Sequence, residues 1–252
     1  MTNYSIAEEC TLPSLGKVYT SKINPVIKLR SMTTEEEMKR LSPSDRQYKN
    51  LCEVIDDCMI ESPGISSYDM CLADYQYLLH KLRVVTYGSE YRATSTCPYC
   101  GGVHDTVIDL DDLEVVTCDL DSINKYMEFE LPKTKKRVRL TLQTPRAIDE
   151  VAVRNKELRK KSKGQAPDST LVLTIVSLIS TVDGEYMDPI KKEEFVRNLP
   201  MMDTNYIMKH AQKLVESFGI NSTVINDCPV CGLDYTSSFR FSSEFFGPSI
   251  DI

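Results

Sequence analysis

The spacing of apolar residues changes along the chain, and each change predicts a different type of structure. Residues 33–88 and 145–218 carry apolar residues three or four positions apart, which is typical of helices. Residues 89–144 and 219–252 contain alternating apolar and polar positions, which are typical of strands. Residues 1–32 hold an extended segment and one short alternating stretch, and they predict an extended N-terminal arm. The patterns therefore predict an α+β fold, in which a helical body accompanies a β region that is discontinuous in sequence.

Capping signals mark helix boundaries in residues 33–88. Thr33 and Glu36 form a Thr-x-x-Glu capping box, which predicts that a short helix begins there. Two further helices follow, and Gly88 caps the last of them. We assign His80 to the exposed surface of that helix.

The second helical segment opens with Pro145, a residue suited to the first turn of a helix. This helix ends in the basic residues 159–163, which we interpret as a solvated helix end where positive charge is favourable. Residues 171–179 predict a helix that is apolar on nearly all sides and lies in the core or at a partner interface. Two more helices are predicted near residues 188–199 and 203–218.

Two matched cysteine motifs carry the candidate chemistry of the chain. Cys97 and Cys100 lie in a Cys-Pro-Tyr-Cys-Gly sequence, and Cys228 and Cys231 lie in a Cys-Pro-Val-Cys-Gly sequence. Four thiolates on two such turns form the ligand set of a tetrahedral structural zinc ion. The sequence therefore predicts one zinc ion per chain, bound by these four cysteines and closed to catalysis.

Other roles for these cysteines are disulfides, free thiols or a redox site, because Cys-Pro-Tyr-Cys is also the active-site sequence of glutaredoxins. In glutaredoxins a long helix follows the motif, whereas Gly101 and Gly102 begin no helix here. His104 is an alternative metal ligand, although an exposed histidine without a ligand role is the preferred interpretation.

The predicted strands fit around these motifs. Residues 90–96 lead into the first cysteine turn and residues 106–110 leave it, as in the hairpin of a zinc ribbon. Residues 125–131 and 137–143 are predicted to form a second hairpin.

Both ends of the chain are candidates for contacts with other chains. Residues 26–30 alternate like a strand, which could pack on the protein's own body or add to a neighbour's sheet. Phe239 and Phe241 would share one face of a strand, while Phe245 and Phe246 suit either the core or an exposed anchor for a partner. We predict that both ends contact other chains.

Composition narrows the possible functions. The 252 residues carry a formal net charge of −7, which disfavours nucleic acid as a partner. The most apolar run, residues 171–179, is too short to cross a bilayer, so no membrane partner is expected. Nine cysteines without a secretory signal indicate a reducing compartment. The sequence has no common nucleotide-binding, metalloprotease or hydrolase motif, and we predict that the protein is not an enzyme.

Several sequence segments resemble one family of viral proteins. Residues 12–19, 27–42 and 74–91, followed by the cysteine turn at 97–101, are similar to the T-even-type baseplate hub or hub assembly proteins of contractile-tailed bacteriophages. Residues 239–249 resemble the tails of such proteins. The resemblance implies a structural or assembly role in the virion tail baseplate, with assembly in the host cytoplasm. It also implies hub and tail proteins as partners in a symmetric multi-protein assembly.

Three hypotheses for function follow. The first is a structural or assembly component of a phage baseplate, stabilised by zinc. The second is a zinc-ribbon regulator that binds nucleic acid, for which the basic residues 159–163 are the main support. The third is a thiol oxidoreductase, which would depend on Cys97 and Cys100 alone.

Overall fold

The computed structural model describes residues 6–163, 167–238 and 243–246 of the chain. Its α-helices are α1 (Thr34–Leu41), α2 (Lys49–Cys58), α3 (Leu72–Tyr87), α4 (Leu120–Met127), α5 (Pro145–Lys161), α6 (Thr170–Leu178), α7 (Pro189–Arg197) and α8 (Met201–Glu216). Its strands are β1 (Ala7–Thr11), β2 (Val26–Arg30), β3 (Glu90–Thr96), β4 (Val103–Asp109), β5 (Val115–Val116), β6 (Glu128–Glu130), β7 (Arg137–Leu140), β8 (Ile179–Val182), β9 (Gly219–Ile220), β10 (Thr223–Asp227) and β11 (Asp234–Ser238).

The strands form small antiparallel sheets rather than one large sheet. The pairs β1–β2, β3–β4, β5–β9 and β10–β11 are two-stranded, and β6–β7–β8 is three-stranded. This arrangement confirms the predicted α+β class. We call the hairpins β3–β4 and β10–β11 the ribbon, and the remaining described elements the body. None of the helices in the described residues has the length and apolar character needed to cross a membrane.

The body contains two apolar clusters. The first joins β1, β2, α2 and α3, with Leu12 and Leu78 fully buried. The second joins α4, α6, α8 and the three-stranded sheet, with Val138 and Ile207 fully buried. Alternation along β7 is as predicted, because Val138 and Leu140 face inward while the arginines between them are exposed. The strand β8 was not predicted, and it follows directly from the apolar helix α6.

The N-terminal segment is folded onto the body. Strand β1 pairs with β2, and the backbone N–H of Ile60 donates a 2.9 Å hydrogen bond to the carbonyl oxygen of Lys28 on β2. Ile27 and Leu29 are almost completely buried. Of the two arrangements considered for this segment, the structure shows packing on its own body, because its alternate side chains are apolar and reach the core.

Residues 120–130 differ from the hairpin predicted around them. The structure has helix α4 up to Met127, and only Glu128–Glu130 form the strand that pairs with β7. The Asp119 carboxylate accepts hydrogen bonds from the N–H groups of Asp121 and Ser122, which caps the helix at its start. This local capping signal outweighs the strand-like alternation that follows it.

The predicted exposure of His80 was wrong, whereas for Phe245 and Phe246 the structure confirms one of the two alternatives, burial in the core. His80 is only 2% exposed, and its Nε2 lies 2.9 Å from the carbonyl oxygen of Leu110, so it belongs to the core. Phe245 and Phe246 are also buried in the first cluster, which excludes them as exposed anchors in this chain. Phe239 and Phe241 lie outside the described residues.

Arg83 connects the body to the start of the ribbon. Its guanidinium is fully buried and donates hydrogen bonds to the carbonyl oxygens of Gly88 at 2.7 Å, Glu90 at 3.1 Å and Phe245 at 3.2 Å. Two chain segments, residues 88–90 and the segment that contains Phe245, are therefore fixed to one side chain on α3, and β3 leaves the body from a defined position.

Candidate metal centre

Each cysteine motif forms the turn of one ribbon hairpin. In the first hairpin, the N–H of Cys97 donates to the Gly102 carbonyl at 2.9 Å, and the N–H of Gly101 donates to the Cys97 carbonyl at 3.0 Å. The second turn has the same kind of bonds, from Cys228 to Leu233 at 3.1 Å and from Gly232 to Cys228 at 2.8 Å. The two motifs therefore fold into the same kind of turn.

The glycine in each motif is required by the backbone conformation. Gly101 and Gly232 have φ angles of 71° and 70°, in the left-handed region that glycine adopts without strain. Gly102 is constrained by space instead, because a Cβ on it would lie 3.0 Å from Cγ2 of Val230 and 3.3 Å from Sγ of Cys100. The tips of the two hairpins thus approach each other closely.

The structure brings all four predicted cysteines together. Their sulfur atoms lie within 4.8 Å of one another, with 3.8 Å between Cys97 and Cys231 and 3.6 Å between Cys100 and Cys228. A tetrahedral zinc ion with Zn–S bonds of about 2.3 Å would separate its ligands by about 3.8 Å. A disulfide needs about 2.05 Å, so these distances fit a shared metal ion and do not fit disulfides.

Burial differs between the two cysteines of each turn. The first cysteine of each turn, Cys97 or Cys228, is 1% exposed, while Cys100 and Cys231 are exposed. The buried pair packs against Tyr235 of β11. An ion between the four sulfurs would lie at the tip of the ribbon, with protein on one side.

The four thiols also influence one another electrostatically. The N–H groups of Cys231 and Val230 donate to the sulfur of Cys228, and they lower the pKa of this thiol to about 6 despite some desolvation. At Cys231, the Leu233 N–H acts in the same direction, but desolvation and the neighbouring sulfurs outweigh it and raise the pKa to about 12. Repulsion between neighbouring thiolates prevents all four thiols from losing their protons together. A divalent cation between them would offset this negative charge.

His104 takes a different position from the one considered for a metal ligand. Its Nε2 lies 3.1 Å from the hydroxyl oxygen of Tyr235, and the two rings meet edge to face with centroids 5.9 Å apart. It does not belong to the four-sulfur cluster. The contact joins β4 to β11 and so connects the two hairpins behind the four cysteines.

Comparison with known protein families identifies the family of the chain. A family model described as T4 bacteriophage base plate protein matches residues 3–247. The chain belongs to this family. Membership implies a place in the virion tail and assembly with other phage tail proteins. Neither the comparison with curated proteins nor that with solved structures found a match.

The other cysteines of this base plate protein behave as apolar core residues, as predicted. All five are buried: Cys10, Cys52, Cys58, Cys71 and Cys118. Desolvation raises the pKa of Cys10, Cys52 and Cys58 to about 12, which disfavours the reactive thiolate. At the first cysteine motif, a strand rather than a long helix follows Cys100, so the geometry of a glutaredoxin active site is not present there.

Sequence reasoning missed Tyr235 as a partner of the cysteine turns. The available signal was its position, because Tyr235 is the second residue of β11, four residues after Cys231, and its side chain points inward there. No pattern in the sequence predicts that the Tyr235 hydroxyl contacts His104 on the other hairpin.

Proposed function

We propose that this base plate protein is a structural or assembly component of the hub region of a contractile phage tail. We further propose that Cys97, Cys100, Cys228 and Cys231 hold one zinc ion. The observation that carries the zinc proposal is the approach of all four sulfurs to within 4.8 Å, from two turns far apart in sequence. Zinc would then join the two hairpins of the ribbon and stabilise them.

The identity of the metal follows from the donor set. Four sulfur ligands in a tetrahedral arrangement suit zinc, and they leave no open position for a catalytic water. Magnesium and calcium prefer oxygen ligands, which the cluster does not offer. A closed site of this kind supports folding rather than catalysis.

A structural role, rather than an enzymatic one, agrees with how the protein uses its buried carboxylates. The backbone N–H of Ser14 donates to Asp74 at 2.9 Å, that of Tyr48 to Asp149 at 3.1 Å, and that of Lys133 to Asp203 at 2.8 Å. Each carboxylate therefore fixes a distant chain segment. The hub position is supported by the sequence resemblance of residues 12–19, 27–42 and 74–91 to hub proteins.

Metal analysis of the purified full chain tests the zinc proposal. Protein prepared under reducing conditions, without chelators, should contain about one zinc per chain. Cys228→Ser should lose it, whereas the matched control Cys118→Ser should keep it, because Cys118 is buried outside the cluster. Metal-free wild-type protein, or metal loss only in the control, would contradict the assignment.

Cryo-electron microscopy of assembled tails tests the hub proposal separately. We expect density for this chain near the central axis of the baseplate. A consistent position at the periphery would reject the hub assignment while leaving family membership and zinc binding intact. Because the net charge is −7, we also propose that specific binding to nucleic acid is not part of the function.

A further inference from the structure

A groove crosses the surface of the body, and no residue of either cysteine turn lines it. One part is a cavity of about 640 Å³ lined by residues of α5 and the start of α6. A second cavity, of about 410 Å³, lies beside α6 and α8. Gln143 and Thr174 line both cavities, so the two parts adjoin and form one groove.

The floor of the groove is mostly apolar. Ile148 and Val151 of α5 contribute to the first cavity, and Leu178 and Met208 contribute to the second. Helix α6 buries Leu173, Ile175 and Leu178 on one side, and Ile175 and Leu178 belong to the second cluster, which agrees with the first of its two predicted roles, a core helix. Its side chains at the groove are Thr170, Thr174 and Leu178.

The rim of the first cavity is strongly basic. Four cationic side chains line it: Lys156, Arg159, Lys160 and Lys163. Lys156 forms an ion pair with Asp45. In the described ranges, no acidic side chain forms an ion pair with the other three. This concentration of positive charge contrasts with the net charge of −7 of the whole chain.

We propose that this groove binds an acidic amphipathic helix from another phage tail protein. An apolar floor between helices accepts the apolar face of such a helix, as in other helix-in-groove complexes. The cationic rim would contact carboxylates on the flank of the bound helix and fix its orientation. The inference does not depend on zinc or on the hub position.

The chemistry of the groove favours a protein ligand over nucleic acid. Single-stranded nucleic acid is normally held by aromatic side chains on which the bases stack. Among the described residues that line the two cavities, none is aromatic. The exposed surface is instead aliphatic, with cations concentrated at one edge.

Binding of designed peptides to the purified full chain tests the charge preference. The first peptide is a helix of about 18 residues with leucines at i, i+3, i+4 and i+7 and glutamates on its other faces. The second has the same leucines with lysines in place of glutamates, and an oligonucleotide of mixed sequence is the third ligand. We expect the acidic peptide to bind at least about tenfold more tightly than the basic one, and more weakly as salt is raised.

Two variants locate the binding site. Arg159→Glu with Lys160→Glu should weaken the acidic peptide about tenfold, because two attractive charges become repulsive. The matched control is Lys22→Glu with Lys191→Glu, which changes the net charge equally at exposed lysines outside the groove. Ala152→Trp should also weaken binding, since it fills the first cavity from an exposed helical position. Circular dichroism should show that all variants remain folded.

Photo-crosslinking in assembled tails identifies the natural occupant. A photoreactive amino acid at position 152 should attach to an acidic, leucine-rich helical segment of a different tail protein, and one at the exposed Tyr186 should not. The proposal is overturned if the two peptides bind equally, if the oligonucleotide binds more tightly, or if the control variant weakens binding as much. It is also overturned if the crosslink joins two copies of this chain or joins none.

Discussion

The ribbon and the body are stabilised in different ways. At the tip of the ribbon, the buried cluster consists of Cys97, Cys228 and Tyr235, whereas Ile108 of β4 packs into the first cluster of the body. Two of the three residues at the tip are proposed metal ligands. In the body, the first cluster alone combines two strands and two helices around residues such as Ile55 and Leu79 that are fully buried. A two-stranded hairpin without a core is marginally stable in water. We therefore infer that the tip of the ribbon would depend on the proposed metal ion, whereas the body depends on apolar burial.

Metal removal should have the largest effect, and it should act on the ribbon rather than on the body. In Cys228→Ser, or in wild-type protein treated with a chelator, the ribbon should lose its structure, because structural zinc contributes on the order of 10 kcal/mol to folding. Hydrogen exchange measured by mass spectrometry should become fast in β3–β4 and β10–β11 and stay slow in α3. Equal loss of protection in α3 would show that the two regions are not independent.

A substitution in the core should destabilise the body and leave the proposed metal site intact. Leu12→Ala removes a fully buried side chain from the first cluster and should cost roughly 3 kcal/mol of unfolding free energy. Zinc content of the folded protein should not change. Leu41→Ala is the matched control, because Leu41 is 66% exposed and should cost less than about 0.5 kcal/mol. Chemical denaturation measures both, and similar losses would mean that the N-terminal segment is not part of the core.

Low pH should reduce the free energy of unfolding of the body, because Glu36 becomes protonated. Its hydrogen bond with Arg30, supported by bonds from Thr33, lowers the pKa of Glu36 from 4.5 to about 2. The stabilisation is complete above the unfolded pKa near 4.5 and is lost as the pH falls toward 2. Because the pair lies near the surface, we expect a loss of roughly 1 kcal/mol across this window.

Glu36→Gln is the control for this pH dependence. The variant should be less stable than wild type at neutral pH, and the difference should shrink as the pH is lowered from 5 to 2, as followed by thermal unfolding. A constant difference over this range would exclude ionised Glu36 as the source.

The smallest effect on stability is expected from the contact between Tyr235 and His104. Tyr235→Phe removes the hydroxyl that contacts His104 and should cost about 1 kcal/mol, confined to the ribbon. Zinc should remain bound, because the four sulfurs are unchanged. Hydrogen exchange in β4 and β11 measures the effect, and loss of metal in this variant would assign Tyr235 a larger role than packing.

The sequence predicted those parts of the fold that local signals determine. The capping box at Thr33 and Glu36, the proline that begins α5 and the glycine after α3 all mark helix ends in the structure. The matched cysteine motifs predicted which four sulfurs would meet, because identical turns at hairpin tips present their sulfurs in the same way.

Predictions failed where the outcome depended on distant packing. A helical histidine such as His80 has the same local pattern on the surface and in the core, and only its contact with Leu110 decides between them. For Phe245 and Phe246 the sequence left the core and an exposed anchor as alternatives, and their packing in the first cluster decides for the core. The basic residues 159–161 lie in the exposed last turn of α5, as predicted, but their position at the edge of a groove depends on how α5 packs beside α6.

The connection between the two cysteine turns also sets an order of folding events. Residues 101–227 form one closed loop when the four sulfurs share an ion. Closing a disordered loop of that length costs about 4 kcal/mol of chain entropy, whereas a folded body already holds the two hairpins near each other. We therefore expect a bound ion to acquire its full set of four ligands late, after α5 to α8 have folded. The rate at which all four sulfurs bind the ion would then follow the folding rate of the body.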